Sequence, residues 1–367
     1  MKRTVFTVII MLILVIFLAS CGWKVEIVDP TEQIENEQKI ESGEEQNYSG
    51  RIIKEISAEK TDTSVLTEEG FGYGIGSQIP FQWIDEEKAL VFSYYSEDPF
   101  VGESFSVKIF LFDSAKNEIS FIKEATFSNS CSVSVYSKGD EAKVVFGSKL
   151  FAYIISINTE TLEISEKNLE YPGFSCSPNG TFAKIMEGFI EIGDVENPEE
   201  TSELIKIGEN YEIISWSPDS EYILLQNESS GSDYLICNIK TGNMVYFHSN
   251  GIKKWCGEKG FFVFTDYDEE TGKTKSGIID LETGETEERE YIESAVLYEK
   301  EFIIYRENND ICVKEHSTGK IHRIENVLDG RFYYTAENFN FENSSVVLAS
   351  YGVDEADFRL VKIEWEE

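Results

Sequence analysis

Three features of the sequence predict an all-β fold, and together they narrow it to a β-propeller, a ring of four-stranded blades. From Ile79 onward the chain reads as apolar runs of about five to eight residues, broken by Gly, Asn, Asp and Ser turns. Long apolar stripes of helical period are missing. A unit also repeats: taking Trp83, Val135, Cys176, Trp216, Trp255, Leu297 and Phe339 as equivalent gives steps of 52, 41, 40, 39, 42 and 42 residues. A period of about 40 residues holding four short strands is that of a propeller blade.

Each unit opens with a short strand and a tight turn, at 81–85, 132–136, 174–180, 214–220, 254–258, 295–299 and 338–342. A second apolar strand follows, as in 88–92, 222–226, 261–265 and 346–350. The third strand ends on a turn built around Thr241-Gly242, Thr283-Gly284 or Thr318-Gly319, and the same turn recurs without Gly at Asn158–Leu162. Gly supplies the positive φ that such turns require. In Ser177-Pro178-Asn179 and Ser217-Pro218-Asp219 the proline presets φ and the Asn or Asp caps the backbone. Both devices are structural. The long first step fits an inserted hairpin tip around Ser96–Ser104.

Counting gives seven blades, with six and eight as the alternatives. The last unit, Phe339–Glu367, has room for three strands only. A strand-like segment at Arg51–Ser57, carrying Ile52, Ile53 and Ile56, is expected to add the fourth and close the ring, which removes an open sheet edge.

Two segments precede the blades. Lys2 and Arg3 form a positive start, an apolar run follows from Val5 to Leu18, and Ala19 and Ser20 stand before Cys21. A run of about 14 residues is short for a membrane span and suits the core of a cleavable signal peptide. From Trp23 to Gly50 the chain is rich in Glu, Gln, Asn, Ser and Gly, a composition that cannot bury enough apolar surface to offset the entropy of ordering. The expected organisation is a leader over 1–20, a flexible acidic tether over 21–50 and a propeller over 51–367.

The formal net charge is −36. A nucleic-acid binder needs a basic surface, and no Lys/Arg cluster supplies one. Such acidity favours cationic partners. Apart from Cys21, the cysteines are Cys131, Cys176, Cys237, Cys256 and Cys312, an odd number without C-x-x-C spacing. Packing as small buried residues is their expected role, with one bridge left open. His248, His316 and His322 are expected to be solvated turn residues rather than metal ligands. Phe71–Gly76 alternates Gly without the spacing of a phosphate cradle and reads as a connector.

Leu18-Ala19-Ser20-Cys21 resembles the lipobox of bacterial lipoproteins. That resemblance implies cleavage between Ser20 and Cys21 and diacylglyceryl attachment to the Cys21 thiol. It also implies a membrane-anchored position on the extracytoplasmic side, at the cell surface or in the periplasm. One acyl chain anchors only marginally, whereas two or three hold firmly. Phe174–Gly180 and Ile214–Leu225 resemble the WD40-like repeat of TolB-type proteins and of prolyl-oligopeptidase propellers. The TolB likeness implies a scaffolding role in the cell envelope. The peptidase branch requires an α/β-hydrolase domain with a G-x-S-x-G elbow. Neither that domain nor the amino-terminal domain of TolB is expected here. Ile279–Gly284 and Asn238–Tyr246 are similar to quinoprotein-type repeats, which also occur in assembly lipoproteins, though without their Trp after the Gly.

In a propeller the loops between second and third strands emerge on the same face as the blade-to-blade connectors. Here they are long, at 94–104, 227–233, 266–275 and 351–358. They bring Tyr94, Tyr95, Glu97, Asp98, Phe100, Glu103, Asp233, Asp266, Tyr267, Asp268, Glu269, Glu270, Tyr351, Asp354, Glu355, Asp357 and Phe358 to that face. Aromatics beside carboxylates suit a protein or cell-wall ligand with basic groups. Asp266, Asp268 and Glu270 alternate like the acids of a calcium loop but lack its later bidentate Glu, so calcium is the only cofactor the pattern leaves open. The expected function is a non-catalytic binding scaffold tethered through Cys21. The alternative is a hydrolase or lyase using paired carboxylates at the channel.

Overall fold

The second and third strands of each unit read as unbroken apolar runs because both of their faces are covered. In Tyr222–Asn227 the first four side chains are all buried, whereas the outer strand Ile164–Leu169 is exposed at every position but its last. The computed structural model describes residues 51–68, 81–96, 105–127, 132–147, 152–169, 173–198, 201–268, 271–330, 334–336, 339–351 and 356–366. The leader, Cys21, the tether, the Phe71–Gly76 connector and Cys131 lie outside them. Gly50–Glu367 form one compact unit, distinct from Met1–Ser49.

The described residues form seven four-stranded antiparallel sheets, so the fold is a seven-bladed propeller. The chain opens with β1 (Ile53–Lys60) and a short helix α1 (Ser64–Glu68). Blade 1 is β2 (Phe81–Trp83), β3 (Lys88–Ser96), β4 (Phe105–Asp113) and β5 (Glu118–Phe127). Blade 2 is β6 (Ser132–Lys138), β7 (Glu141–Gly147), β8 (Ala152–Asn158) and β9 (Ile164–Leu169). Blade 3 is β10 (Ser175–Cys176), β11 (Thr181–Met186), β12 (Phe189–Asp194) and β13 (Thr201–Lys206). Blade 4 is β14 (Tyr211–Trp216), β15 (Tyr222–Asn227), β16 (Asp233–Asn238) and β17 (Met244–His248). Blade 5 is β18 (Lys253–Trp255), β19 (Phe261–Asp268), β20 (Lys273–Asp280) and β21 (Thr286–Arg289). Blade 6 is β22 (Ala295–Tyr298), β23 (Phe302–Glu307), β24 (Asp310–Glu315) and β25 (Ile321–Ile324). Blade 7 takes β26 (Thr335–Ala336), β27 (Ser345–Tyr351) and β28 (Ala356–Trp365) from the end of the chain. Its inner strand begins earlier than the expected 338–342, and the Asn340–Ser345 bridge continues its ladder.

Each gap between neighbouring blades holds one apolar cluster among the described residues. Blades 4 and 5, for example, meet through Leu224, Tyr234 and Ile236 on one side and Trp255, Phe262 and Ile279 on the other. Leu66 of α1 is fully buried between blades 7 and 1, beside Phe110, Phe112 and Phe358. Cys176, Cys237, Cys256 and Cys312 are free and buried, and burial pushes every one of these thiols up in pKa, Cys237 to about 11. They are packing residues, as their apolar surroundings predict.

Ring closure follows the expected route and extends past Ser57. β1 pairs antiparallel with β28 from Ile53 opposite Trp365 to Lys60 opposite Arg359. Its start is fastened to blade 6 as well. The Ile53 amide donates to Glu315 Oε1 at 2.9 Å, and His322 Nε2 lies 2.8 Å from the same oxygen. The Thr318 hydroxyl donates to Glu315 Oε2. His322 is therefore a closure residue with a side chain only 9% exposed, not a solvated turn residue, because the β25 strand turns it onto a buried carboxylate. His316 is half-buried, and desolvation holds its imidazole neutral with a pKa pulled down to about 4.

The Thr-Gly turns share one geometry. Asp280 Oδ1 accepts the amides of Glu282 and Thr283 at 2.9 and 3.0 Å, and Gly284 follows at φ 75°. Asn158 caps the equivalent turn of blade 2, but there Leu162 occupies the left-handed position at φ 60°. A side chain in that region costs about 1–2 kcal/mol, so Leu162→Gly should raise stability in urea denaturation by about 0.5–1 kcal/mol after the added chain entropy.

The closure latch makes a pH-dependent contribution. Desolvation would raise the Glu315 pKa, but hydrogen bonds from Thr318, His322 and the Ile53 amide outweigh it and hold the carboxyl below its ordinary value. A folded pKa below the unfolded one means the contribution is complete above the unfolded value and fades as pH falls through the folded one. Glu315→Ala should cost about 3 kcal/mol at neutral pH, since three donors lose their acceptor. The gap to wild type should shrink in acid, read as thermal midpoints along a pH series.

Candidate functional site

Four antiparallel strands per blade place alternate loops on opposite faces. Turns from first to second and from third to fourth strand share one face. The second-to-third loops and the blade connectors share the other, here called the long-loop face. Of the expected face residues, Tyr94 and Tyr95 lie in β3 and Tyr351 in β27. Glu97, Asp98, Phe100, Glu103, Glu269, Glu270, Asp354 and Glu355 lie outside the described residues. Asp357 and Phe358 are not surface residues. Phe358 is fully buried in the cluster between blades 7 and 1. Asp357 is 2% exposed, accepts from the Tyr334 hydroxyl, and accepts from Arg359 Nε at 2.9 Å. Consecutive residues of β28 point to opposite faces, and both are buried because both faces of this strand are covered, whereas their loop-like spelling in the sequence points outward.

The blade 4 and 5 part of the face does assemble. His248 Nδ1 lies 2.9 Å from Asp233 Oδ1, and Asn250 Nδ2 lies 3.2 Å from His248 Nε2. Asp266 Oδ1 accepts the Asn250 amide at 3.1 Å, while Tyr267 stands 50% exposed beside it. Asp268 caps its own turn, accepting the Thr271 amide at 3.0 Å, and faces Lys275 at 3.7 Å. Asp268 thus serves as a hairpin cap. Among the described residues no group of three His, Cys, Asp or Glu side chains is placed to hold a metal ion.

The channel opens on the long-loop face through a cavity of about 660 Å³ framed by blades 1 to 4. Its floor includes Val133, Ser134, Ser175 and Ser215 from three inner strands. Tyr211, Ile213 and Ile214 of β14 form one wall, and Glu212 and Glu228 stand on the rim. Sequence reading missed these because it started the blade 4 strand at Ile214. The signal was present in Tyr211-Glu212-Ile213-Ile214, whose first residues alternate apolar and polar.

The opposite mouth is a cavity of about 780 Å³ that every blade reaches. Three of its acids hold turns together. Asp85 accepts the Glu87 and Lys88 amides, Asp219 accepts the Glu221 amide, and Glu258 pairs with Lys300 at 3.2 Å. Behind this rim Glu299 is 1% exposed and does not line the cavity. Its two oxygens accept the Gly257 amide at 3.0 and 2.8 Å, bracing blade 6 against blade 5. Burial raises its pKa to about 8, against the opposing effect of the amide donors.

No protein-family model matches the sequence, and no curated protein matches it. Solved structures similar to it include the WD40 domain of Toxoplasma gondii coronin, at 10% identity, with 87% of this chain and 88% of that chain covered and a TM-score of 0.45. The β-propeller domain of the Trilobed protease from Pyrococcus furiosus is another, at 12% identity, 78% and 93% coverage and a TM-score of 0.47. Likeness at this level concerns chain path alone. The class is defined by the sheets themselves: a seven-bladed β-propeller closed by its amino-terminal strand.

Glu299 yields a pH prediction of opposite sign to Glu315. A carboxyl whose folded pKa is raised contributes stability fully below its unfolded value, and that contribution is lost as pH rises through the folded value of about 8. Between pH 5 and 9 the thermal midpoint of Glu299→Gln should therefore gain on that of the wild type.

Proposed function

We propose that this chain is a lipid-anchored extracytoplasmic propeller, TolB-like in its blades, that serves as a non-catalytic scaffold for a protein or cell-wall ligand. Support for the anchor comes from the order of charge, apolar run, small residues and Cys21 at the start of the sequence. The binding role is carried by one observation, the open cavity of about 660 Å³ on the long-loop face. It combines apolar walls with exposed acids, and Tyr267 and Asp266 extend the same face across blade 5. Cavities of this size are where proteins take ligands.

The anchor is tested by Cys21→Ala in the native host. The wild type should partition with membranes and incorporate a palmitate analogue, and the variant should do neither. A variant that stays in the membrane fraction through washing in high salt would remove the lipid reading. For the scaffold, in-cell crosslinking of the full-length protein is compared with Asp266→Lys/Tyr267→Lys. Loss of the crosslinked species is expected, and an unchanged pattern would take blade 5 out of the binding face.

A further inference from the structure

The gaps between blades are not equally apolar. Between blades 6 and 7 the buried cluster runs from Leu297, Phe302 and Ile304 to Val346, Leu348 and Val361. Between blades 5 and 6 the buried members among the described residues are Cys256, Val263, Ile278, Tyr298 and Ile303, the smallest of the seven clusters. The rest of that gap is polar. Thr265 stands opposite Ser276, Ser276 opposite Arg289, and Ile278 opposite Glu287, so all share the face that Ile278 turns to blade 6. From blade 6, Ile303 stands opposite Lys314, whose ammonium pairs with Glu290 of the blade 5 to blade 6 connector. Ser276 Oγ and Arg289 Nε are buried without a hydrogen-bond partner. Buried apolar area holds blades together, and unmet polar atoms subtract from that hold.

Polar contacts close the end of the gap away from the long-loop face. Lys300 of blade 6 pairs with Glu258 of blade 5 at 3.2 Å and lies 4.0 Å from the Phe261 ring centroid. Glu299, 1% exposed, accepts the amides of Gly257 and Glu258 from blade 5 and of Phe339 from blade 7. A Cβ on Gly257 would stand 2.4 Å from Phe339 O, so the blades meet here without spare room. The ionisable groups around Glu299 are Cys256, Glu258 and Arg289 from blade 5 and Lys300 and His316 from its own blade. Burial keeps the Cys256 thiol well above its ordinary range and keeps His316 neutral, whereas Glu299 changes charge near pH 8. Once ionised, a carboxylate so enclosed favours any state that admits water.

We propose that the gap between blades 5 and 6 is the point where the ring opens locally while its other gaps stay closed, and that the charge on Glu299 sets how often it opens. Local opening belongs to the parts of a fold with little buried apolar surface. In the open state Glu299 regains an ordinary carboxyl's affinity for protons. Opening therefore grows as pH rises from the ordinary carboxylate range to about 8 and levels off beyond.

Buried thiols supply the reporters. Cys256 lies in this gap, Cys176 between blades 2 and 3, and Cys237 between blades 3 and 4. The full-length chain is alkylated with N-ethylmaleimide along a pH series, and labelling at each cysteine is read by peptide mass spectrometry. Each rate is divided by that of the urea-unfolded chain at the same pH, which removes the reactivity of the thiolate itself. Cys256 should be less protected than Cys176 and Cys237 at neutral pH. Its protection should fall by about tenfold or more between about pH 6 and pH 8 and stay level above. In Glu299→Gln the Cys256 course should be flat. Equal protection of the three thiols, a parallel fall at all three, or a wild-type slope retained in Glu299→Gln would overturn the proposal. The first two comparisons need the wild-type chain alone, so they decide the matter even where the variant fails to fold.

Discussion

In this protein the ring of blades is closed by the pairing of β1 with β28. Every blade covers its neighbours on both sides, so an open seam would expose an apolar cluster as well as a strand edge. Ile53 shows how the seam is sealed: its side chain is fully buried between blades 6 and 7 while its amide is held by Glu315. The Arg51 guanidinium lies 5.7 Å from the centroids of both Phe341 and Trp365, adding a cation–π contact where the strand begins. Glu366 donates its amide to Ile52 O at 2.8 Å, so the last described residue of the chain is tied to one of the first.

The acidity of the chain takes on a different meaning within this frame. Many carboxylates are construction parts. Asp85, Asp219, Asp268 and Asp280 cap turns through backbone amides, and Glu299 and Glu315 brace neighbouring elements from buried positions. The same charge type serves opposite electrostatic ends. Donors outnumber the desolvation cost at Glu315 and keep it ionised, while at Glu299 burial dominates and favours the neutral acid. Glu212 and Glu228 line the cavity on the long-loop face.

Much of the fold was legible in the residues. The recurrence of Trp83, Trp216 and Trp255 and the Thr-Gly turns mark the blades, because a hairpin turn and a buried strand impose local chemistry that repeats wherever the unit repeats. Ile53 and Ile56 announced the closing strand for the same reason. The site was less legible. Asp357 and Phe358 spell a loop, yet the pairing of β28 with both β1 and β27 places them inside. His322 looks like a turn residue until Glu315 is brought against it. The cap that Asp268 makes for its own turn was not legible either.

Sequence by itself determined the all-β class, the blade period, the closing strand and the motif around Cys21, because each is written in neighbouring residues. Tertiary structure alone decided which acids are structural and which are free. It brought Glu315 against the Ile53 amide and His322, and Glu299 against the Gly257 amide. The physical reason is that strand periodicity is local, whereas a carboxylate's partner, its burial and its protonation are set by whatever the ring carries to it from tens or hundreds of residues away.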